Sequence, residues 1–224
     1  MAVRAASFGR APAESRPALE LLALLLAADA VTVLLHVVSE LGGFYAHMFN
    51  LDQEGNLPTW LASAQFLAVA AVAGLLARVR HGPERFAALA LALVFAFFSL
   101  DEVALVHEKL AEHAPAVLED VPKLPILYSP IAVACAAAIW VLLPRVRDVL
   151  GSSLPLLAGF ALLATSVLLD AADVQALDVP RFRPLIIVEE ATELAGTALL
   201  AAVLLALVLA RATTLSGRNP SRNP

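Results

Sequence analysis

Six apolar stretches alternate with polar segments along the chain. They lie near residues 18–39, 58–77, 86–113, 125–143, 152–171 and 185–210. The third runs into a charged end, so its helix is expected to reach beyond the bilayer. A helix of about 20 apolar residues crosses a hydrocarbon core about 30 Å thick. The pattern therefore predicts an all-α polytopic membrane protein, built as a single bundle of six transmembrane helices.

The composition agrees with a membrane environment. Hydrophobic residues make up 60% of the chain and charged residues 16%, whereas about a quarter of a soluble domain is charged. The net charge of −5 comes from acids in the spans and loops, and there is no basic stripe. The lipid bilayer is therefore an expected partner and nucleic acid is not. The single Cys135 lies in an apolar run, where cysteine acts as a small hydrophobic residue.

The basic residues indicate the topology. Eleven of the 15 Lys and Arg lie in the two tails and in the turns near 78–85 and 145–147. The three other loops hold Lys109, Lys123, Arg181 and Arg183. Cytoplasmic loops carry the excess of Lys and Arg, so both termini are predicted in the cytoplasm. The residue bias towards Ala, Leu, Val and Arg resembles that of a bacterial protein, so the expected location is a bacterial inner membrane. The expected domains are a flexible cytoplasmic tail (1–17), a transmembrane domain (18–211) and a second cytoplasmic tail (212–224).

Acidic and histidine residues in the spans are the candidate chemistry. Charged side chains within a membrane span are costly, so each one is by default a candidate for a functional site. The stretch Phe97–Glu112 holds several of them, and a second block, Glu189–Glu193, opens the last span. The predicted topology places both blocks near the non-cytoplasmic ends of their helices. The residues predicted to bind a cation or protons are Asp101, Glu102, Glu108, Glu189, Glu190, Glu193, His36, Glu40 and Asp170.

Several carboxylates that share one site cannot all be charged unless something positive joins them. They must be protonated, line a wet cavity or hold a metal ion, and the sequence leaves all three open. Carboxylate and imidazole ligands suit a divalent ion such as Zn, Mn, Fe, Mg or Ca. The candidate ligands are His107, Glu108, Asp101, Glu189 and Glu193. The sequence lacks the paired Glu-x-x-His motif of di-iron bundles, so no known spacing specifies a metal.

Three motifs occur in order along most of the chain. They are LDQEGNLPTW, SLDEVALVHEKL and EEATELAG. In this combination the chain resembles a family of uncharacterised bacterial membrane proteins with six spans. The resemblance implies a six-helix bundle and carries no activity.

A looser resemblance is to the alkaline ceramidase and adiponectin-receptor-like membrane hydrolases. Those enzymes have an acidic calcium-binding loop, and an intramembrane zinc held by histidines with a serine and an aspartate nearby. The positions that resemble the loop and the zinc site are Asp52, Glu54, Asn56, Ser99, Asp101 and His107. The family's late pair of zinc histidines is missing here, so Glu189, Glu190 and Glu193 would have to replace it.

Three functions are consistent with these patterns. The leading hypothesis is a transporter or channel-like protein whose outward-facing acidic cavity binds a cation or exchanges protons, with His36 and His107 as proton carriers or further ligands. The second is a metal-dependent enzyme acting on a lipid-like substrate, in which one carboxylate is the general base for a metal-bound water. The third is an accessory subunit of a membrane complex. Whether a second copy of the chain or another membrane subunit binds is left open.

Overall fold

The computed structural model describes residues 16–43, 45–106, 109, 123–171 and 184–216. Within these ranges the chain forms seven helices and no strand. The helices are α1 (Arg16–Gly42), α2 (Ala46–Phe49), α3 (Leu57–Val79), α4 (Gly82–Ala104), α5 (Lys123–Leu150), α6 (Leu154–Ala171) and α7 (Pro184–Ser216).

Five of these helices, α1, α3, α4, α5 and α7, are long and apolar enough to cross a membrane. Helix α6 has 18 residues and is also apolar, but it is shorter than those five. Large apolar side chains such as Leu24, Leu93 and Trp140 are exposed on the outside of the helices, as expected for a surface that faces lipid. The structure therefore indicates a multi-pass helical membrane protein. Helix α6 corresponds to the remaining predicted span, and the count of six stays a prediction.

Helix α4 is shorter than the sequence pattern predicts. It ends at Ala104, since Leu105 has a left-handed backbone with φ of 54° and does not continue the helix. The Leu105 N–H still donates to the carbonyl of Asp101 at 2.7 Å. The expectation of one continuous helix to about residue 113 is therefore wrong. Asp101 and Glu102 lie on the last turn of α4, next to its end.

Helix α7 lies at the centre of the bundle. It packs against α1, α3 and α6, and α3 pairs with α4 along its length. The shared core contains small residues on α3, α4 and α7, including Ala73, Ala88 and Ala201. Small side chains allow membrane helices to approach closely and gain van der Waals contact. Helix α5 packs mainly on α4 and only lightly on α6 and α7. A space therefore remains between α4 and α5 on one side and α6 and α7 on the other.

Helices α6 and α7 cross at two glycines. A β-carbon placed on Gly196 would lie 2.9 Å from the backbone oxygen of Gly159, and one on Gly159 would lie 2.7 Å from Leu200 Cδ2. Both distances are shorter than the contacts that real β-carbons make. The absence of side chains at this crossing therefore sets the spacing between α6 and α7.

The end of the bundle at the α3–α4 turn is held together around Glu84. Its Oε1 accepts from Arg145 Nε at 2.6 Å, and its Oε2 lies 3.4 Å from Arg80 Nη1. Arg80 also donates to the backbone oxygen of Leu207 at 3.1 Å. Burial lowers the pKa of the Arg80 guanidinium below its usual value, and the nearby Glu84 charge opposes that shift. These contacts connect α4 to α5 and, through Arg80, to α7.

We expect Glu84→Gln to lower the free energy of unfolding by about 1–3 kcal/mol. The substitution removes the negative charge beside Arg80, whose side chain is only 14% exposed. The measurement is unfolding by sodium dodecyl sulfate in mixed micelles, followed by circular dichroism. The control is Glu20→Gln, because Glu20 is 64% exposed in a surface pair with Arg16 and such pairs contribute about 0–1 kcal/mol. Equal effects of the two substitutions would contradict a stabilising role for the Glu84 cluster.

Candidate functional site

A cavity of about 920 Å³ lies between α4 and α5 on one side and α6 and α7 on the other. One part of its wall is apolar and includes Phe66, Phe98, Ile139 and Phe160. The other part is acidic and is formed by the ends of α4, α6 and α7 and by the loop before α3. The lining acids are Asp52, Glu54, Asp101, Glu102, Asp170, Glu189, Glu190 and Glu193. Among the described residues that line this cavity, none is Lys, Arg or His.

Helix α7 supplies three of the acids. Glu189 and Glu193 are four residues apart and Glu190 and Glu193 are three apart, so the pairs are neighbours on the helix surface. Glu193 accepts a side-chain hydrogen bond from Ser166 of α6, and Ser166 is buried. Ser166 therefore orients Glu193 across the α6–α7 crossing. The candidate residues drawn from the sequence omit Ser166, although it lies on the same helix as Asp170 and one turn before it.

Acids from different parts of the chain approach each other in the cavity. Glu102 of α4 interacts electrostatically with Glu193 of α7 and with Glu54 of the loop before α3. Glu190 interacts with Glu102 and Glu54 in the same way. Charged carboxylates repel each other, and surroundings of low dielectric strengthen the repulsion. The structure thus brings the acids at the end of α4 and those at the start of α7 to one site.

Asp101 and Asp170 occupy different depths of this site. Asp101 is buried, with 5% of its surface exposed. Asp170 lies on the last turn of α6 and is exposed, and it interacts electrostatically with Glu189 of α7. The acidic part of the wall therefore runs from a buried carboxyl group on α4 to an exposed one on α6.

The loop before α3 is folded by its own polar side chains. Asn56 caps α3, since its Oδ1 accepts from the Thr59 N–H at 3.2 Å, and its Nδ2 donates to the Asn50 carbonyl at 2.5 Å. Thr59 Oγ1 also lies 3.4 Å from Glu54 Oε2. Asn56 therefore acts as the capping residue of α3. The same hydrogen bonds fold the loop so that Asp52 and Glu54 lie at the cavity. The residues predicted from the sequence to bind a cation or a metal do not include these two acids, which were named only for their resemblance to a calcium-binding loop.

His36 and Glu40, two of the predicted site residues, lie outside the cavity lining. His36 is 6% exposed, and its Nδ1 accepts from the Leu51 N–H at 3.2 Å. Because a backbone N–H can only donate, this bond requires an unprotonated Nδ1. Glu40 is exposed on α1. His36 therefore anchors the loop that carries Asp52 to helix α1.

A second buried polar pair joins α1 to α3. Gln65 Nε2 donates to Asp29 Oδ1, and both side chains are at least nine-tenths buried. No donor among the described residues reaches Asp29 Oδ2 or Gln65 Oε1. Neither residue lines the cavity. The pair is therefore a polar contact between α1 and α3 in which hydrogen-bond acceptors outnumber donors.

The predicted metal ligands are only partly described. Asp101, Glu189 and Glu193 line the cavity, whereas His107 and Glu108 lie outside the described residues. In the part of the chain that is described, no group of three His, Cys, Asp or Glu side chains is arranged to hold a metal ion. A divalent metal in this site stays a prediction.

The position that resembles a hydrolase serine makes a contact between helices. Ser99 of α4 accepts, through its carbonyl, a bond of 2.8 Å from Ser63 Oγ of α3, and the two hydroxyl oxygens lie 3.1 Å apart. Ser99 is not among the residues that line the cavity. Its contacts therefore belong to the packing of α3 against α4.

Comparison with known proteins gives a family and no activity. A family model described as a domain of unknown function matches residues 18–207. No curated protein and no solved structure matches this chain.

Proposed function

We propose that this chain, which belongs to the family DUF8692, a domain of unknown function, binds a cation in the acidic cavity. The proposal includes six spans, both termini in the cytoplasm and a cavity that faces the non-cytoplasmic side of a bacterial inner membrane. The observation that carries it is the wall itself: eight carboxyl groups around one space, with no Lys, Arg or His among the described lining residues.

Electrostatics supports a positive ligand. Glu102, Glu190 and Glu193 come from two helices and act on each other's charge. A bound cation removes this repulsion, and it gains energy from each nearby carboxylate in surroundings where charges are weakly screened. The hydrogen bond from Ser166 to Glu193 supports a fixed position for one of these groups.

Movement of helix α5 would open the cavity and allow a bound ion to exchange. It packs lightly on α6 and α7, and it contains Pro130 and Pro144 in its interior. Each proline removes a backbone hydrogen bond and favours a bend. We infer that α5 is the movable wall of the cavity, which is the feature that favours a transporter over an accessory subunit.

We expect cations to raise the thermal midpoint of the purified protein and Glu193→Gln to reduce that effect. A ligand present at 100 times its Kd stabilises a protein by about 2.7 kcal/mol. The panel consists of Na⁺, Ca²⁺, Mn²⁺, Zn²⁺ and alkylammonium ions, added after purification without chelator. Removing one charge-assisted contact costs about 1.5–3 kcal/mol, so binding should weaken by roughly 10- to 100-fold.

Glutamine is a suitable replacement because its side-chain oxygen can still accept from Ser166. Glu20→Gln is the matched control, since this exposed glutamate of α1 lies outside the cavity. A panel in which no cation shifts the midpoint would remove the proposal. A shift that Glu193→Gln and Glu20→Gln change equally would locate the binding elsewhere.

A further inference from the structure

The cavity is much larger than an inorganic ion needs. Its volume is about 920 Å³, within the range of small-molecule pockets, about 300–1,000 Å³. A water molecule occupies about 30 Å³ of liquid, so a cation with six waters fills roughly a fifth of the space. The rest of the cavity is available to the body of a larger ligand.

Aromatic rings form part of the remaining wall. The ring centroids of Phe66 and Phe98 are 5.5 Å apart, and those of Phe95 and Phe98 are 5.9 Å apart in an edge-to-face arrangement. All three residues line the cavity, but Phe66 and Phe95 are buried, so Phe98 presents the most accessible ring. Phe98 comes from the same helix as Asp101 and Glu102. Aromatic faces attract organic cations and also bury apolar groups. The wall therefore offers both interactions within one space.

The apolar part also extends to the outside of the bundle. Ala132 of α5 and Leu168 of α6 line the cavity and are exposed. They lie on the two helices that pack only lightly on each other. In a bilayer this side of the cavity meets the hydrocarbon region, so a ligand with an apolar body can enter between α5 and α6.

We propose that the ligand is an amphipathic organic cation, an ammonium or phosphonium group on an apolar body. This inference rests on the proposed function and adds the chemical class of the ligand. The cationic group binds among Glu102, Glu190 and Glu193, and the apolar body lies along Phe98 towards the gap between α5 and α6. Small hydrated ions interact only with the acidic part of this wall.

The test is a series of trimethylammonium ions with methyl, butyl, hexyl and octyl chains, titrated into the protein in lipid nanodiscs. Empty nanodiscs correct for partition into lipid. We expect affinity to rise with chain length, by at most about fourfold for each added methylene. Octanesulfonate and octanol, with the same chain and a negative or no charge, are expected to bind at least tenfold more weakly.

Two substitutions separate the parts of the wall. Glu193→Gln is expected to weaken the binding of every ammonium ion in the series. Phe98→Leu keeps the site apolar but removes a ring, so it should weaken binding by about two- to tenfold. Phe86→Leu is its matched control, because Phe86 is 70% exposed on the same helix. The chain-length series in the unaltered protein tests the inference even where a variant does not fold.

The outcomes distinguish this inference from the proposed function. Equal affinity for the methyl and octyl ions would overturn the inference and leave cation binding intact. If the protein bound Mn²⁺ or Ca²⁺ but none of the organic cations, the inference would likewise be overturned and cation binding would stand. Equal binding of octyltrimethylammonium, octanol and octanesulfonate would overturn the inference, since the charge would then not be recognised. The proposed function itself is overturned if no cation of the panel shifts the thermal midpoint.

Discussion

Replacing Gly196 by alanine is expected to lower the free energy of unfolding by about 1–3 kcal/mol, which is typical of overpacking. Alanine is normally the better helix residue by about 0.5–1 kcal/mol. Here, however, its β-carbon would lie 2.9 Å from the backbone oxygen of Gly159 and 3.1 Å from Leu162 Cβ and Leu163 Cγ. A backbone oxygen cannot rotate away, so α6 and α7 must move apart.

The same movement should reach the cavity. Glu193 precedes Gly196 by three residues, and its hydrogen bond with Ser166 spans the two helices that separate. We therefore expect Gly196→Ala to weaken cation binding as well as stability. The measurements are unfolding by sodium dodecyl sulfate and the cation titrations described above.

Gly74→Ala is the matched control for the glycine crossing. Gly74 lies inside α3, and a β-carbon there would meet nothing within 4 Å. This substitution should stabilise the protein by about 0.5–1 kcal/mol, because alanine loses less backbone entropy in a helix. If Gly196→Ala were equally stabilising, the close approach of α6 and α7 would be contradicted.

The second large effect is expected at the buried pair of α1 and α3. Asp29→Leu leaves the Gln65 amide group without its acceptor, which costs about 1–3 kcal/mol for a buried polar group. Asp29→Asn keeps an oxygen for the Gln65 N–H and adds an amide hydrogen where acceptors are in excess. We therefore expect Asp29→Asn to be at least as stable as the unaltered protein.

A double substitution tests the pairing directly. Asp29→Leu with Gln65→Leu removes both polar groups, and such a replacement can be nearly neutral. The double variant should therefore be more stable than Asp29→Leu alone, as measured by detergent unfolding. Strictly additive losses, or equal losses for Asp29→Asn and Asp29→Leu, would show that the two side chains do not depend on each other.

The acidic site was only partly predictable. The rarity of charge in apolar spans singled out Asp101, Glu102 and the acids of α7, because a lone charge in such a span is costly. His36 met the same criterion but instead binds the Leu51 N–H. Asp52 and Glu54 were named for their resemblance to a calcium-binding loop but were not among the predicted cation- or metal-binding residues, because only folding places their loop at the cavity.

The sequence by itself determined that the chain is helical, apolar and rich in acids near certain helix ends. These properties follow from the length of the apolar stretches and from the cost of charge in lipid, which depend on local composition. The tertiary structure decided which acids share a space. The crossing at Gly159 and Gly196, the early end of α4 at Ala104 and the light packing of α5 depend on contacts between distant segments. Periodicity along one helix does not contain those contacts, and they create the cavity.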